Sequence, residues 1–152
     1  KIYIIGESHE GIKKKGLSEL IGISSNDPLS LNFTIENIDI DLIQTKMLFQ
    51  KNNRSYFIEA KNKGLKIIVN SVYNQTIDHN INLKINELLK SFQIDEEDKK
   101  IILITFYLLK ERIDCALFGT TNLEHLNLIA NKFEKYKLNS SELFAKLENL
   151  FE

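Results

Sequence analysis

Five short runs of apolar residues are separated by longer stretches with helical spacing, and this alternation constrains the fold most. The runs are Ile2–Ile5, Leu20–Ser24, Ile40–Thr45, Leu65–Ser71 and Cys115–Phe118. Because each run is apolar nearly throughout, it is typical of a parallel strand buried on both faces. Alternation of such strands with helices predicts an α/β fold.

Two α/β architectures fit this order: an open doubly wound sheet, or part of a (β/α) barrel. Periodicity alone does not choose between them. The 152 residues suit one domain, and a hydrophobic fraction of 43% is too high for a disordered chain. Since no Gly- or Pro-rich linker interrupts the chain, we expect residues 1–152 to form a single α/β domain.

Helices are predicted between the runs. Asp27 is expected to cap a helix that begins at Pro28, and Gly64 to end a helix over Ser55–Lys63. Two further helices are predicted over His9–Lys15 and Ile81–Phe92, and a third over Ile101–Leu109, capped by Asp95. A helix over Asn122–Lys135 is expected to carry one apolar face, formed by Leu123, Leu126, Ile129, Ala130 and Phe133. The last predicted helix is capped by Ser140 or Ser141 and turns Leu143, Leu147 and Leu150 inward.

Charge and apolar run length exclude several functional classes. A formal net charge of −1 argues against a bulk nucleic-acid binder, and no run approaches the length of a membrane helix. Without a signal peptide we expect a cytoplasmic protein. The chain does not begin with Met, so we expect a piece of a longer polypeptide or a processed one. Cys115 is the single cysteine, and its apolar run predicts a buried, inert thiol.

Common catalytic and metal-binding patterns are absent from the sequence. The three histidines are scattered and none pairs with cysteine at metal-ligand spacing. There is no Walker loop and no nucleophile elbow. The acidic run Asp95–Asp98 opens a predicted helix, where the helix dipole accounts for it without a ligand.

Polar residues at the ends of the predicted strands are more informative, because ligands of parallel α/β proteins meet the carboxyl ends of strands. These residues are Ser24-Ser25-Asn26, Gln44-Thr45, Asn70-Ser71 and Gly119-Thr120-Thr121-Asn122. The last group directly precedes a predicted helix, and two interpretations of it stay open. Either the free backbone N–H groups at the helix start bind a phosphate, or Thr121 or Asn122 is an ordinary helix cap. Gln44 is expected to hydrogen-bond either a ligand or a neighbouring backbone group.

In their order and spacing these segments resemble the C-terminal half of an aldo/keto reductase. Gly11–Ser24 is similar to that family's segment of helix, Lys-Gly and strand ending in Gly-Val-Ser, and Ile38–Gln44 to its next strand. Ser71–Gln75 resembles a Ser-x-Phe-x-Gln stretch of members linked to sugar and polysaccharide pathways, with Tyr73 in place of Phe. The remaining similar segments are Ile58–Ser71, Ile101–Leu109 with Cys115–Leu126, and Ser141–Leu147.

The resemblance implies an incomplete parallel (β/α) barrel of the TIM type, because such a barrel needs about 250 residues. It also implies that the catalytic Asp, Tyr and Lys lie in an N-terminal half that this chain does not contain. The position of the catalytic histidine would be taken by Gly6 or by His9, so the catalytic residues stay unassigned. An incomplete barrel leaves bare sheet edges, so we expect an N-terminal half or a second copy of the chain as partner.

The resemblance further implies that this half binds NADP or NAD. Ser24, with Ser25 or Asn26, and Gln44 would hold the nicotinamide carboxamide. Asn70 stands where the family has an aromatic residue or Arg. The list of implied cofactor residues is Ser24, Ser25, Asn26, Gln44, Asn70, Ser71, Gly119, Thr120, Thr121 and Asn122.

Two functions follow from this resemblance. The first is NAD(P)H-dependent reduction of a small carbonyl substrate, sugar-related in the members with the similar serine motif, once an N-terminal half completes the barrel. The alternative is a degenerate, non-enzymatic barrel that acts as a regulatory or binding subunit. Departures at Asn70 and at Thr121, where the family has a basic residue, favour the alternative.

Overall fold

The computed structural model of the chain describes residues 11, 15–47, 55–72 and 77–151. The predicted strand Ile2–Ile5 lies outside the described residues, as do Gly6, His9 and most of the predicted helix His9–Lys15.

In the part of the chain that the structure describes, four parallel strands form one sheet in which each strand pairs with the next in the chain. They are β1 (Gly22–Ser24), β2 (Leu42–Lys46), β3 (Lys66–Asn70) and β4 (Cys115–Ala116). A doubly wound sheet reverses its strand order at a switch point, whereas this order never reverses. The prediction of an α/β fold with barrel-type strand order is therefore confirmed, with shorter strands than the apolar runs indicated.

Each described strand is followed by at least one helix. The helices are α1 (Pro28–Asn37), α2 (Ser55–Asn62), α3 (His79–Ser91), α4 (Lys99–Lys110), α5 (Leu123–Asn139) and α6 (Ser141–Phe151). A short 3₁₀ turn, Glu96–Asp98, leads into α4. The helix α4 is the most buried element, since all residues from 101 to 108 are covered.

Local signals set several helix ends as predicted. The Asp27 carboxylate accepts a hydrogen bond from the Ser30 backbone N–H at 3.0 Å, so it caps α1 just before Pro28. Gly64 follows α2 with φ of +71°, a left-handed conformation that favours glycine. The prediction that Asp95 caps α4 is wrong, because its side chain makes no capping bond and the 3₁₀ turn intervenes.

The sheet has one covered face and one open face. Ile43, Thr45, Ile67 and Val69 are fully buried in the core, whereas the residues that alternate with them are only half-buried or exposed. The expectation that the strands are buried on both faces is therefore wrong for the described residues. We call the open side the inner face, because in a (β/α) barrel the helices cover the outside.

The amino edge of the sheet is held by two carboxylates. The Asp41 side chain accepts the Ile21 backbone N–H at 2.7 Å, and the Asp114 side chain accepts the Ile67 backbone N–H at 2.8 Å. At the same edge Gly22 lies against the Leu42 carbonyl oxygen so closely that a Cβ atom would collide with it. These contacts fix the register that places the residues at the carboxyl edge.

Candidate functional site

One row of residues crosses the inner face at the level of Gln44. The strand register pairs Ser24 with Gln44, Gln44 with Ile68, and Ile68 with Cys115. Paired residues on neighbouring parallel strands lie about 4.8 Å apart and project to the same face. Ser24 and Gln44, which the sequence resemblance assigned to one cofactor group, are thus neighbours on one face.

Gln44 is half-buried, and its side chain makes no hydrogen bond to the part of the chain that the structure describes. Of the two roles that the sequence left open, bonding to a neighbouring backbone group is not seen among the described residues. The Ser24 hydroxyl likewise makes no hydrogen bond to described residues. A carboxamide and a hydroxyl side by side therefore have donors and acceptors left for a ligand.

The loop after β1 uses its polar side chains to hold itself in place. The Ser25 hydroxyl accepts the Asp27 backbone N–H at 3.1 Å. The Asn26 side-chain oxygen Oδ1 accepts the Lys46 backbone N–H at 2.9 Å, which ties this loop to the end of β2. Each of these side-chain oxygens thus accepts one backbone bond, while the Asn26 NH₂ group and the Ser25 O–H donate to none of the described residues.

The end of β3 lies beside the end of β2. Asn70 pairs in register with Lys46, and the Met47 backbone N–H bonds to the Asn70 carbonyl at 3.0 Å. Ser71, the next residue, has φ of +54° and turns the chain away from the strand. The register thus places Asn70 on the inner face, one step nearer the carboxyl edge than the Gln44 row.

At the start of α5 the structure shows capping. The Asn122 side-chain oxygen accepts the backbone N–H groups of Glu124 and His125 at 2.8 and 3.2 Å, and the Thr120 hydroxyl accepts the Asn122 N–H at 3.1 Å. Around Gly119 there is open space. Because the cap occupies two N–H groups of the first turn, it competes with any phosphate for that helix end.

The prediction of a buried thiol at Cys115 is wrong. Cys115 is exposed, although it lies in a strand. Its strand is at the edge of the described sheet and its register position places it on the open inner face.

A charged cluster between α4 and α5 was missed by sequence reasoning. The buried Asp98 carboxylate accepts hydrogen bonds from the Lys132 ammonium and the Tyr136 hydroxyl. Burial by itself raises the pKa of Asp98, but the hydrogen bonds from Lys132 and Tyr136 and the lysine charges outweigh it and lower this pKa. Burial is the main cause that raises the pKa of Tyr136, and the hydrogen bond to Asp98 is the second. The signal in the sequence was the spacing of Lys132 and Tyr136, one helical turn apart.

Both oxygens of Asp98 are used within the protein, so this cluster joins helices and does not present a free acid or base. Elsewhere, the described residues hold no group of three or more His, Cys, Asp or Glu side chains arranged for a metal ion. Among the described helices, none has the length and apolarity to cross a bilayer.

No family model matches the chain, and no curated protein matches it. Solved structures do match. A thermostable aldo-keto reductase, crystallised with the inhibitor epalrestat, has a TM-score of 0.65 and 19% identity, over 93% of this chain and 51% of its own. The holo form of an aldo-keto reductase from Bacillus halodurans has a TM-score of 0.71 and 13% identity, over 93% of this chain and 53% of its own. The chain has the fold of part of an aldo/keto reductase barrel.

An aldo-keto reductase from Bombyx mori, in complex with NADP, gives the same result with a TM-score of 0.62 and 13% identity, over 93% of this chain and 47% of its own. The chain spans about half the length of the reductases that it matches. At these identities the likeness establishes the reductase fold, and the roles of individual residues rest on the geometry of the inner face.

Proposed function

We propose that the chain is the cofactor-binding half of an aldo/keto-reductase-like oxidoreductase. When an N-terminal half completes the barrel, the protein would reduce a small carbonyl substrate, sugar-like in its polarity, with NADPH or NADH. The observation that carries this proposal is the Ser24–Gln44 pair, whose side chains share the inner face and have no hydrogen-bond partner among the described residues.

The pair suits a nicotinamide carboxamide in its chemistry. A primary amide ligand offers one acceptor oxygen and two N–H donors, and the Gln44 amide offers the same set in return. The Ser24 hydroxyl adds one donor and acceptor on the neighbouring strand. Contacts from two adjacent strands would fix the plane of the nicotinamide ring. A reaction that depends on the orientation of its two reactants requires such a fixed plane.

A bound nicotinamide cofactor supplies the hydride in this chemistry. The chain's own residues bind and orient the cofactor: Ser24 and Gln44 hold the carboxamide, and Asn70 lines the inner face nearer the edge. The residue that protonates the carbonyl oxygen belongs, on the family resemblance, to the N-terminal half. We assign no catalytic residue to this chain.

The dinucleotide's phosphates would approach Ser71 and the segment Gly119–Asn122. Support is weaker here than at the carboxamide end, because the Asn122 cap already occupies two N–H groups of α5. The Thr121 hydroxyl lies close to that helix end, whereas the Thr120 hydroxyl is already hydrogen-bonded to the Asn122 backbone. We therefore expect the carboxamide end to contribute most of the binding specificity.

A fluorescence titration with NADPH and NADH tests the proposal. Replacing Gln44→Ala should weaken binding about fivefold to thirtyfold, which corresponds to the roughly 1–2 kcal/mol of one hydrogen bond to a buried polar group. The matched control is Asn62→Ala, which removes an exposed amide from the outer helix α2 and should leave affinity unchanged. Equal affinity in both variants would show that Gln44 has no part in cofactor binding.

A further inference from the structure

The strand β2 carries a lysine on the inner face, two residues beyond Gln44. Lys46 is the last residue of this strand, and side chains two positions apart on a strand project to the same face. Like Gln44, Lys46 is half-buried. Its ammonium group forms no hydrogen bond or ion pair with any residue that the structure describes. The inner face therefore presents a positive charge at its carboxyl edge, beside the row that contains Gln44.

The carboxylates that flank the sheet are engaged away from this lysine. Asp41 and Asp114 hold backbone N–H groups at the amino edge, at the opposite end of the strands. The Asp27 carboxylate, in the loop after β1, accepts hydrogen bonds from the backbone N–H and the hydroxyl of Ser30 and so caps α1. None of these three acids pairs with Lys46, so its charge is not neutralised by them.

Two carboxamide side chains lie at the same strand end. Asn26 accepts the Lys46 backbone N–H through Oδ1 at 2.9 Å, which brings its unused NH₂ group to the end of β2. Asn70 pairs in register with Lys46 on the neighbouring strand, and its side chain makes no hydrogen bond to described residues. One ammonium and two NH₂ groups therefore offer hydrogen-bond donors at one place. A carboxylate or phosphate group is bound by such a set of donors.

We propose that Lys46, Asn26 and Asn70 form an oxyanion subsite, which binds a carboxylate or phosphate group of the ligand on the inner face. The identity of that ligand rests on the proposed function, in which Gln44 holds the nicotinamide carboxamide. Two residues of a strand span about 7 Å, so the subsite lies one long side chain away from the carboxamide, toward the carboxyl edge.

This position suits an acidic group on the substrate. A substrate carbonyl must approach the nicotinamide ring to within about 3.5 Å to react. An acidic group a few carbon atoms from that carbonyl then reaches the Lys46 ammonium. The subsite therefore selects carbonyl compounds that carry a carboxylate or a phosphate, such as sugar acids and sugar phosphates. The phosphates of the cofactor have the same chemistry, and the test separates the two sources.

The first arm titrates the ¹⁵N-labelled chain, without NADPH, with glucuronate and with glucose, which differ by one carboxylate. Glucuronate should shift the side-chain NH₂ signals of Asn26 and Asn70, whereas glucose should not. Replacing Lys46→Gln should weaken glucuronate binding about threefold to tenfold, because a half-buried charge is screened less than an exposed one. Lys46→Arg keeps the charge and should keep the affinity. The matched control is Lys66→Gln, which removes a lysine from the same face at the amino edge and should leave binding unchanged.

The second arm compares nicotinamide mononucleotide with nicotinamide riboside, which differ by one phosphate. A loss of affinity in Lys46→Gln for glucuronate assigns the subsite to the substrate, and a loss for the mononucleotide assigns it to the cofactor phosphate. The proposal is overturned if neither anion binds better than its neutral counterpart, or if neither loses more affinity in Lys46→Gln than in Lys66→Gln. The Asn26 and Asn70 shifts in the unmodified chain test the subsite independently of any variant.

Failure of this inference is distinguishable from failure of the proposed function. Glucuronate is titrated without a nicotinamide cofactor, so its binding at Lys46 can be found even when Gln44→Ala leaves NADPH affinity unchanged. Conversely, NADPH binding that depends on Gln44 can be found when glucuronate and glucose behave alike.

Discussion

Asp98 joins the start of α4 to α5 through one carboxylate. Replacing Asp98→Ala leaves the Tyr136 hydroxyl without its acceptor in a buried position and removes the partner of Lys132. We expect the free energy of unfolding to fall by about 1–3 kcal/mol, measured by urea titration. Asp95→Ala is the control, since Asp95 is exposed and its side chain makes no capping bond. Equal stability of the two variants would contradict a structural role for the cluster.

The same carboxylate makes a pH prediction. The pKa of Asp98 is held below its usual 3.8, so the folded state favours the ionised form. Its contribution to stability is then full above about pH 3.8 and is lost as the pH falls through the lower folded-state pKa. Unfolding free energies measured from pH 6 downward should therefore fall more steeply below about pH 4 for the wild type than for Asp98→Asn. Parallel curves would show that Asp98 titrates normally.

Cys115 gives a third residue-scale prediction. Because its thiol is exposed on the open inner face, it should react with an aromatic disulfide reagent in native buffer without prior unfolding. The measurement is the reaction rate with and without urea. If the thiol reacts only when the protein unfolds globally, Cys115 is buried, as its apolar run predicted, and the exposed position is contradicted.

These residues show what single positions reveal in a sequence. Gln44 was recognised as exceptional because it is polar within an apolar strand, but its bonding state needed the structure. Cys115 was misjudged because an apolar run does not show whether its strand lies at the edge. Asp98 was assigned to the helix dipole, since its partners lie more than thirty residues away in the chain.

At the scale of elements, Asn122 decides how α5 begins. Replacing Asn122→Ala removes the acceptor for two backbone N–H groups and should lower the melting temperature, with a loss of about 1 kcal/mol of stability. Thr121→Ala is the matched control, because the Thr121 side chain makes no capping bond to α5. An unchanged melting temperature in Asn122→Ala would show that water serves the helix end equally well.

Helix ends were predictable where the signal is local. Asp27 before Pro28 and Gly64 after α2 act within a few residues of the helix they bound, and both were found as expected. The start of α4 was not, because it depends on the tertiary contacts of Asp98. Element type and order followed from periodicity, while strand length did not, since pairing partners set where a strand ends.

At the scale of the whole molecule, the parallel order of the strands followed from their apolar character and their separation by helices. The choice between a doubly wound sheet and a barrel did not, because it depends on which strands become neighbours. Local sequence patterns also did not predict that the inner face is open. A strand that is apolar throughout is typical of a sheet that is buried on both faces. In the described residues nothing packs over the inner face, so its side chains are only half-buried or exposed.

This mismatch between apolar strands and an open face supports the proposed function, because the inner face holds the Ser24–Gln44 pair. The central claim is that this inner-face row is where the nicotinamide binds.

Amide chemical-shift mapping on the ¹⁵N-labelled chain, titrated with NADPH, tests that claim most directly. The account predicts that the largest shifts occur at Ser24, at Gln44 and its side-chain amide, and at Ile68 between Gln44 and Cys115 in the register. Smaller shifts are expected near Gly119–Asn122. The claim would be contradicted by shifts concentrated around Asp98 and Tyr136, or by a spectrum that NADPH leaves unchanged at saturating concentration.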